Sequence, residues 1–192
     1  MRIISGKFRG RKLVDCEKLK NLRPTTDKNR EAFFNILQSA KFLKDLDFSL
    51  IDCNFLDLCC GSGAVGLEAI SRGAKKVFFV ENNHQHLEIL RQNIELLKVE
   101  NQTKILKENV KNLNFLNENF DLIFLDPPYN ENYQEIVENL LQKKYLTNKN
   151  LLVVEFEAKK FNNFSEFFEK NFEILDQRIY GISLFGFFKL RN

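Results

Sequence analysis

The chain has 192 residues, of which 44% are hydrophobic and 29% charged, so it is long enough to bury one sizeable core and is neither disordered nor collagen-like. Its apolar runs are shorter than the roughly 20 residues that a membrane-spanning helix needs, and its N-terminal residues lack the apolar core of a signal peptide. We therefore expect a cytoplasmic protein without a membrane span. Its four cysteines contain no C-x-x-C pair and are expected to be reduced thiols: Cys16, Cys53, Cys59 and Cys60.

The net charge of +3 is unevenly distributed along the chain. Residues 1–30 carry ten basic and three acidic side chains, whereas the rest of the chain carries 19 basic and 23 acidic ones. Positive potential is therefore concentrated in one segment, as binding to a polyphosphate partner requires. An ordinary solvated surface is the alternative explanation of such a charge run.

The first 46 residues predict a small hairpin followed by a helix. RIIS and RKLV are separated by GKFRG, whose glycines permit a tight reversal. RPTT then supplies a proline stop and a threonine cap, after which apolar residues recur at helical spacing over residues 27–43. We expect residues 1–46 to form a basic, RNA-binding extension that docks onto a main domain of residues 47–192.

From residue 51, short apolar runs alternate with longer amphipathic stretches. Strands are predicted at 53–58, 76–81, 103–107, 120–126 and 151–157, and helices at 64–71, 83–98, 131–144 and 162–170, with a weak helix after residue 109. Strand followed by helix, repeated, predicts a parallel sheet with helices on both faces. FEILDQRIY and SLFGFFKL, joined at Gly181 and Ile182, predict a terminal antiparallel hairpin. The expected fold class is therefore α/β, with a mainly parallel seven-stranded sheet.

The sequence FLDLCCGSGAVGLEAI places a strand, a glycine-rich turn and a helix in succession. Gly61 and Gly63 let the backbone approach a ligand closely, and the N-terminus of the helix offers unpaired N–H groups. With Gly66 they spell G-x-G-x-x-G, and Glu81 lies 20 residues after Gly61, which is the fingerprint of a dinucleotide-binding site. A tight strand-to-helix turn without a ligand is the alternative.

Asp57 favours a different ligand. It lies four residues before Gly61 at the carboxyl end of the strand, where a carboxylate would repel a pyrophosphate but accept hydrogen bonds from an ammonium group. The pattern D-x-x-x-G-x-G therefore suits a cationic ligand such as S-adenosylmethionine, with Glu81 accepting the ribose hydroxyls. Asn109 follows the third strand and is a candidate contact to the adenine ring, with Val110 packed nearby, although a helix cap explains Asn109 equally well.

The run FDLIFLDPPYN predicts the chemistry. A buried strand ends at Asp126, two prolines stiffen the chain and remove two backbone donors, and Tyr129 supplies a flat aromatic face. Hydrogen bonds to the Asp126 carboxylate and the Pro127 carbonyl would orient the exocyclic amine of a nucleobase toward an electrophilic methyl group, while Tyr129 stacks on the base. A rigid turn that merely ends the strand is the alternative.

Two histidines lie close together on the helix predicted at residues 83–98. His84 and His86 are two residues apart, so they point in different directions, and no cluster of cysteines or carboxylates completes a metal site. We expect both histidines at the surface and no metal cofactor.

These pieces together resemble the RsmD-type family, bacterial methyltransferases of guanine N2 in small-subunit (16S) ribosomal RNA. The resemblance covers nearly the whole chain and rests on RIISGKFRGRKL, LRPTTDKNREAFFNIL, LDLCCGSGAVGLEAISRGA, VEN, FLDPPY and the closing YG. It implies a Rossmann-like class I methyltransferase fold with a reversed terminal hairpin and S-adenosylmethionine as the methyl donor. Its implied partner is ribosomal RNA, within a ribosomal particle, and its implied state is a monomer.

The resemblance and the motifs together assign three sets of residues. The donor site is Asp57, Gly61, Ser62, Gly63, Glu81, Asn82, Asn109 and Val110. The catalytic loop is Asp126, Pro127, Pro128 and Tyr129. The candidates for contacts to RNA phosphates are Arg9, Arg11, Lys12, Arg23 and Arg30.

Other functions remain open from the sequence. A DNA or other RNA amino-methyltransferase would use the same loop, because the loop holds an amine beside a ring without choosing the base. A protein-glutamine methyltransferase would also use it, usually with asparagine where Asp126 stands. A nicotinamide-binding oxidoreductase would use G-x-G-x-x-G literally, and a non-catalytic RNA-binding assembly factor would use the basic segment alone.

Overall fold

The structure, a computed structural model, describes residues 1–14, 26–113 and 118–192. The helices are α1 (Asp27–Ser39), α2 (Lys41–Asp45), α3 (Ala64–Ser71), α4 (His84–Leu97), α5 (Tyr133–Gln142) and α6 (Ser165–Asn171), with short 3-10 helices at Glu100–Gln102, Val110–Asn112 and Ala158–Asn163. The strands are β1 (Asn54–Leu58), β2 (Lys76–Val80), β3 (Thr103–Leu106), β4 (Leu122–Leu125), β5 (Leu151–Glu157), β6 (Phe172–Tyr180) and β7 (Ser183–Leu190). In these three ranges, no helix has the length and apolar character needed to cross a bilayer.

The seven strands of the described residues form one sheet in the order β3-β2-β1-β4-β5-β7-β6. The first five strands are parallel, and β7 is antiparallel to both β5 and β6. The predicted fold class is therefore confirmed, including the terminal hairpin. The chain order reverses between β1 and β4, and this reversal is where open α/β sheets bind their ligands.

The helices cover both faces of the sheet, as the alternating pattern predicts. One face packs against α1, α3 and α4, and the other against α5 and α6. Phe33 of α1 packs on the sheet, with its ring centroid 4.9 Å from that of Phe124 and 5.7 Å from that of Phe185. Residues of the first 46 therefore share a core with the sheet, while their role as an RNA-binding extension remains a prediction.

The predicted helix over residues 27–43 is two helices in the structure. Thr26 caps α1 as expected, because its side chain accepts the backbone N–H of Asn29 at 3.1 Å. The prediction of a single helix is wrong at Ala40, because the backbone there is extended, with a ψ of 134°. Helix α1 therefore ends before Ala40, and α2 begins after it. Leu43 of α2 is then buried in the same core as α1.

Residues 1–14, which we call the N-terminal arm, form a smaller hairpin than the sequence predicts. A single antiparallel bridge joins Arg2 to Lys12. Gly6 has a φ of +81°, and a Cβ there would overlap the backbone oxygen of Ser71 at the end of α3. The Lys7 N–H donates to that same oxygen at 2.7 Å, so the arm lies against α3 rather than forming an independent sheet.

Arg30 is not available for contacts to RNA, and this part of the prediction is wrong. Its exposed fraction is 0%, and its guanidinium donates to the Arg2 carbonyl and, at 2.9 Å, to Asp27. Its Nε lies 3.9 Å from the buried carboxylate of Glu68. A buried charge is stable only when it is paired in this way. Arg30 therefore holds the arm to the body of the protein.

Candidate active site

A cavity of about 470 Å³ opens at the carboxyl ends of the parallel strands, beside the reversal between β1 and β4. Every residue predicted for the donor site and the catalytic loop lines it, except Gly63: Asp57, Gly61, Ser62, Glu81, Asn82, Asn109, Val110, Asp126, Pro127, Pro128 and Tyr129. The fold thus brings together residues that are 72 positions apart in the chain, because parallel strands end at the same edge of a sheet.

The glycine turn, residues 59–63, connects β1 to α3. Gly61 and Gly63 have φ values of +55° and +78°, in the left-handed region that favours glycine. A Cβ on Gly63 would overlap the side chain of Leu90 on α4. Gly63 therefore serves the turn and its packing on α4, and its contact with the donor remains a prediction.

Asp57 lies beneath the glycine turn with an exposed fraction of 1%. Its Oδ2 accepts the backbone N–H of Gly66 at 2.9 Å. Burial raises the pKa of Asp57 to about 7, with a smaller upward effect from Glu81, and the Gly66 hydrogen bond only partly offsets this. An ammonium group placed here would restore the charged form of the carboxylate.

Glu81 follows β2 and is buried, yet its carboxylate is held ionised. Burial opposes ionisation, but the contact with His86 and the backbone N–H groups of Asn83 and Gly61 outweigh it and lower the pKa of Glu81. Oε2 accepts the Gly61 N–H at 3.0 Å, and Oε1 accepts the N–H groups of Asn82 and Asn83, each at 2.9 Å. A carboxylate offers about four lone-pair sites, and here three backbone N–H groups and the His86 contact already approach it. The bonds from Glu81 to the two ribose hydroxyls remain a prediction.

The two histidines differ in their surroundings. The side chain of His84 is 68% exposed, as predicted. His86 is only 14% exposed, lines the cavity, and has its Nδ1 3.3 Å from Oε2 of Glu81, so its predicted place at the surface is wrong. The backbone N–H of His86 donates to the cap side chain of Asn83 at 3.3 Å, which places His86 in the first turn of α4.

Asn109 and Val110 follow β3, at the edge of the sheet where the parallel strands end. Oδ1 of Asn109 accepts the backbone N–H of Lys111 at 2.9 Å and thereby caps the short 3-10 helix, as the helix-cap alternative predicts. Asn109 still lines the cavity, and Val110 is 9% exposed beside it. The two explanations of Asn109 are therefore compatible.

The catalytic loop follows β4 directly. Asp126 and Tyr129 are half-buried, Pro127 is buried and Pro128 is exposed. The Pro128 carbonyl accepts the Glu131 N–H at 2.9 Å, which closes the loop into a tight turn. Across residues 1–14, 26–113 and 118–192, no hydrogen bond is made to the Pro127 carbonyl, which leaves this acceptor for a ligand. The loop thus offers the carboxylate, the carbonyl and the aromatic face that the sequence predicts.

Known proteins match this chain over most of its length. A family model described as Conserved hypothetical protein 95 matches residues 1–189. Ribosomal RNA small subunit methyltransferase D of Haemophilus influenzae is 35% identical over 191 residues, which cover 94% of this chain and 93% of that protein. The protein of the same name from Escherichia coli is 35% identical over 162 residues, which cover 82% and 75% of the two chains. The chain belongs to this methyltransferase family.

A solved structure supports the same assignment. A putative methyltransferase from Escherichia coli superposes with a TM-score of 0.78 at 27% identity and covers 100% of this chain and 98% of its own. The family assignment decides against the nicotinamide-binding oxidoreductase. The fingerprint G-x-G-x-x-G is therefore present in a methyltransferase, where Gly66 packs against Phe79 and its N–H binds Asp57.

Several polar residues that sequence reasoning missed line the side of the methyltransferase cavity near the catalytic loop. The Ser183 hydroxyl accepts from Nδ2 of Asn29 at 3.2 Å and lies 3.4 Å from the Tyr129 hydroxyl. Ser183 is the first residue of β7, which runs antiparallel to β5, and it pairs with Glu157. It therefore lies at the sheet edge where the parallel strands end. The hairpin was predictable, but its register, which places Ser183 in the cavity, was not. Thr26 and Glu155 complete this side.

The remaining predicted residues are the basic residues proposed to bind RNA and the cysteines. Arg9, Arg11 and Lys12 are exposed on the N-terminal arm, whereas Arg23 and Cys16 lie outside the described residues. Cys53, Cys59 and Cys60 carry free thiols. Cys59 and Cys60 line the cavity, and burial raises the pKa of both thiols well above the usual value, which favours the protonated form.

Proposed function

We propose that this methyltransferase transfers the methyl group of S-adenosylmethionine to the exocyclic N2 amine of a guanine in 16S ribosomal RNA. The observation that carries the proposal is that Asp57, Glu81 and the loop of residues 126–129 line one and the same cavity. The relatives named ribosomal RNA small subunit methyltransferase D support RNA as the substrate class.

The donor half of the cavity suits a cationic nucleoside. When bound, S-adenosylmethionine supplies a methyl group on a positively charged sulfur, an electrophile with a good leaving group. Asp57 faces the position of an ammonium group, and the carboxylate of Glu81, whose pKa is lowered, accepts from the ribose hydroxyls in this proposal. Gly61 gives close access to the backbone, and Val110 supplies an apolar contact for a flat ring.

The catalytic loop prepares the acceptor amine. The lone pair of a guanine N2 is delocalised into the ring, which makes the nitrogen a poor nucleophile. Hydrogen bonds from its two N–H groups to the Asp126 carboxylate and the Pro127 carbonyl favour a pyramidal nitrogen with its lone pair aimed at the methyl group. With the donor bound, the new N–C bond would form as the C–S bond breaks, and Asp126 would accept the proton that the amine loses. Tyr129 stacks on the base, a contact worth about 1–3 kcal/mol.

The N-terminal arm supplies the RNA contacts in this proposal. Arg9, Arg11 and Lys12 are exposed side by side and can each pair with a phosphate. Arg30 has no part in this surface because it is buried. We further propose that the protein acts as a monomer on a ribosomal particle in the cytoplasm, where that substrate is assembled.

The test is a transfer assay with methyl-labelled S-adenosylmethionine. The wild-type protein is incubated in parallel with unmodified small ribosomal subunits, their naked RNA and duplex DNA, and the labelled nucleoside is identified. We expect N2-methylguanosine in the ribosomal samples. Label in DNA alone would contradict the substrate, and no label in any sample would favour a non-catalytic assembly factor.

A pair of acid variants tests the assignment of the loop. Asp126→Ala should abolish transfer while RNA and donor binding persist. Asp121→Asn is the matched control, because Asp121 directly precedes the same strand and lies outside the cavity. Its carboxylate accepts the Asn54 N–H at 2.7 Å. An active Asp126→Ala protein would contradict the role of Asp126.

A further inference from the structure

Asn93 is a buried polar side chain that the transfer chemistry does not use. It lies on α4 in the apolar stripe of Leu90, Ile94 and Leu97, and its exposed fraction is 0%. An amide at such a position costs free energy unless its polar atoms are bonded. The partners of Asn93 therefore indicate its role.

The amide of Asn93 joins two segments that are far apart in the sequence. Its Oδ1 accepts the Val14 N–H at 2.7 Å, and its Nδ2 donates to the Val14 carbonyl at 3.3 Å. The same Nδ2 donates its other hydrogen to the Ser62 carbonyl in the glycine turn at 3.1 Å. One side chain thus binds the end of the N-terminal arm and a residue that lines the cavity.

A second tie holds the beginning of the arm but does not reach the cavity. The carboxylate of Glu68 accepts the N–H groups of Ile4 and Ser5 at 2.7 and 2.9 Å, and it also accepts Nε of Arg72 at 2.7 Å. Glu68 therefore fastens the arm to α3, beside Arg30 of α1 and outside the cavity lining. Asn93 differs from it in contacting both the arm and the turn.

The exposed basic residues of the arm lie between these two ties. Arg11 and Lys12 come three and two residues before Val14, and the Leu13 side chain between Lys12 and Val14 is buried, so this stretch has little freedom to move independently. A phosphate that binds these side chains restrains Val14, and through Asn93 it restrains the orientation of the Ser62–Gly63 peptide. Donor bound at the turn acts on the arm in the reverse direction, as thermodynamic linkage requires.

We propose that Asn93 is a positioning residue that couples RNA binding on the N-terminal arm to donor binding at the glycine turn. The coupling to RNA rests on the proposed function. The link between the turn and the arm rests on the three hydrogen bonds alone and is testable without RNA.

The experiment compares the wild type with Asn93→Ala and with Ile94→Ala. Ile94 is the matched control because it is buried on the same helix, and its apolar side chain cannot bond to Val14 or Ser62. The affinity for S-adenosylhomocysteine is measured by calorimetry with and without saturating unmodified small-subunit RNA. Amide exchange of residues 1–14 is followed with and without S-adenosylhomocysteine.

In the wild type and in Ile94→Ala, RNA should tighten S-adenosylhomocysteine binding by about fivefold or more, the usual lower end of such coupling. In Asn93→Ala each ligand should still bind alone, but the tightening should disappear. S-adenosylhomocysteine should slow exchange of the Val14 amide in the wild type and the control and leave it unchanged in Asn93→Ala.

The proposal would be overturned if RNA tightened S-adenosylhomocysteine binding equally in Asn93→Ala and Ile94→Ala. It would also be overturned if S-adenosylhomocysteine left the exchange rate of the wild-type Val14 amide unchanged. The exchange measurement on the wild type can still overturn the proposal if Asn93→Ala does not fold. Failure of RNA to bind the wild type would contradict the proposed function and the RNA half of this proposal. It is distinguishable because the exchange result does not depend on RNA.

Discussion

The buried carboxylate of Asp57 should make donor binding depend on pH in a defined direction. Without a ligand, the pKa of Asp57 is raised to about 7, mainly by burial. A ligand ammonium group stabilises the ionised carboxylate and lowers this pKa in the complex. Below pH 7, binding must therefore release a proton, so affinity should rise with pH and level off above pH 7.

The magnitude follows from the pKa. At pH 5 the carboxylate is protonated in about 99% of molecules, so the affinity for S-adenosylhomocysteine should be about 100-fold weaker than on the plateau, or about 2.7 kcal/mol. Glu81 does not contribute in this range, because its pKa is lowered and it stays ionised.

Calorimetric titration between pH 5 and 7.5, repeated in buffers of different ionisation enthalpy, measures both the affinity and the protons released. Asp57→Asn isolates the contribution of Asp57, because asparagine still accepts the Gly66 N–H but cannot titrate. The variant should bind more weakly at pH 7.5, with a flat profile and no proton release from this position. A flat wild-type profile, or the wild-type slope retained in Asp57→Asn, would refute the reasoning.

Three further predictions follow from other parts of the structure. Replacing Arg9 and Arg11 together by alanine should weaken RNA binding and reduce the log–log salt slope by up to about 1.8 on duplex RNA, with donor affinity unchanged; an unchanged slope would argue against phosphate contacts. Arg30→Ala should instead lower the free energy of unfolding by about 1–3 kcal/mol, measured by urea denaturation, because it removes the bonds to the Arg2 carbonyl and to Asp27 while Glu68 keeps its partner Arg72; wild-type stability would contradict this role of Arg30. Gly66→Ala should cost about 1–3 kcal/mol in the same assay, because its Cβ would overlap the Phe79 ring, and wild-type stability would contradict that packing.

The sequence alone determined the fold class and the main part of the site. The alternation of apolar runs and amphipathic stretches is a local property, and so are the glycine-rich turn and the DPPY loop. Because parallel strands must end at a common edge, Asp57, Glu81 and Asp126 had to meet once the strands were recognised. The terminal hairpin followed from Gly181 and its flanking β-prone runs in the same way.

Only the tertiary structure decided which polar residues are buried and what they bind. Arg30 precedes Phe33 and Phe34 at helical spacing, and Asn93 stands in the stripe of Leu90 and Ile94, so both positions carried a signal of burial. Their partners, however, lie 38 and 79 residues away along the chain, in segments that the fold brings together. Local patterns fix which face of an element is apolar, whereas the pairing of buried polar groups depends on how the elements pack, which no single stretch of sequence contains.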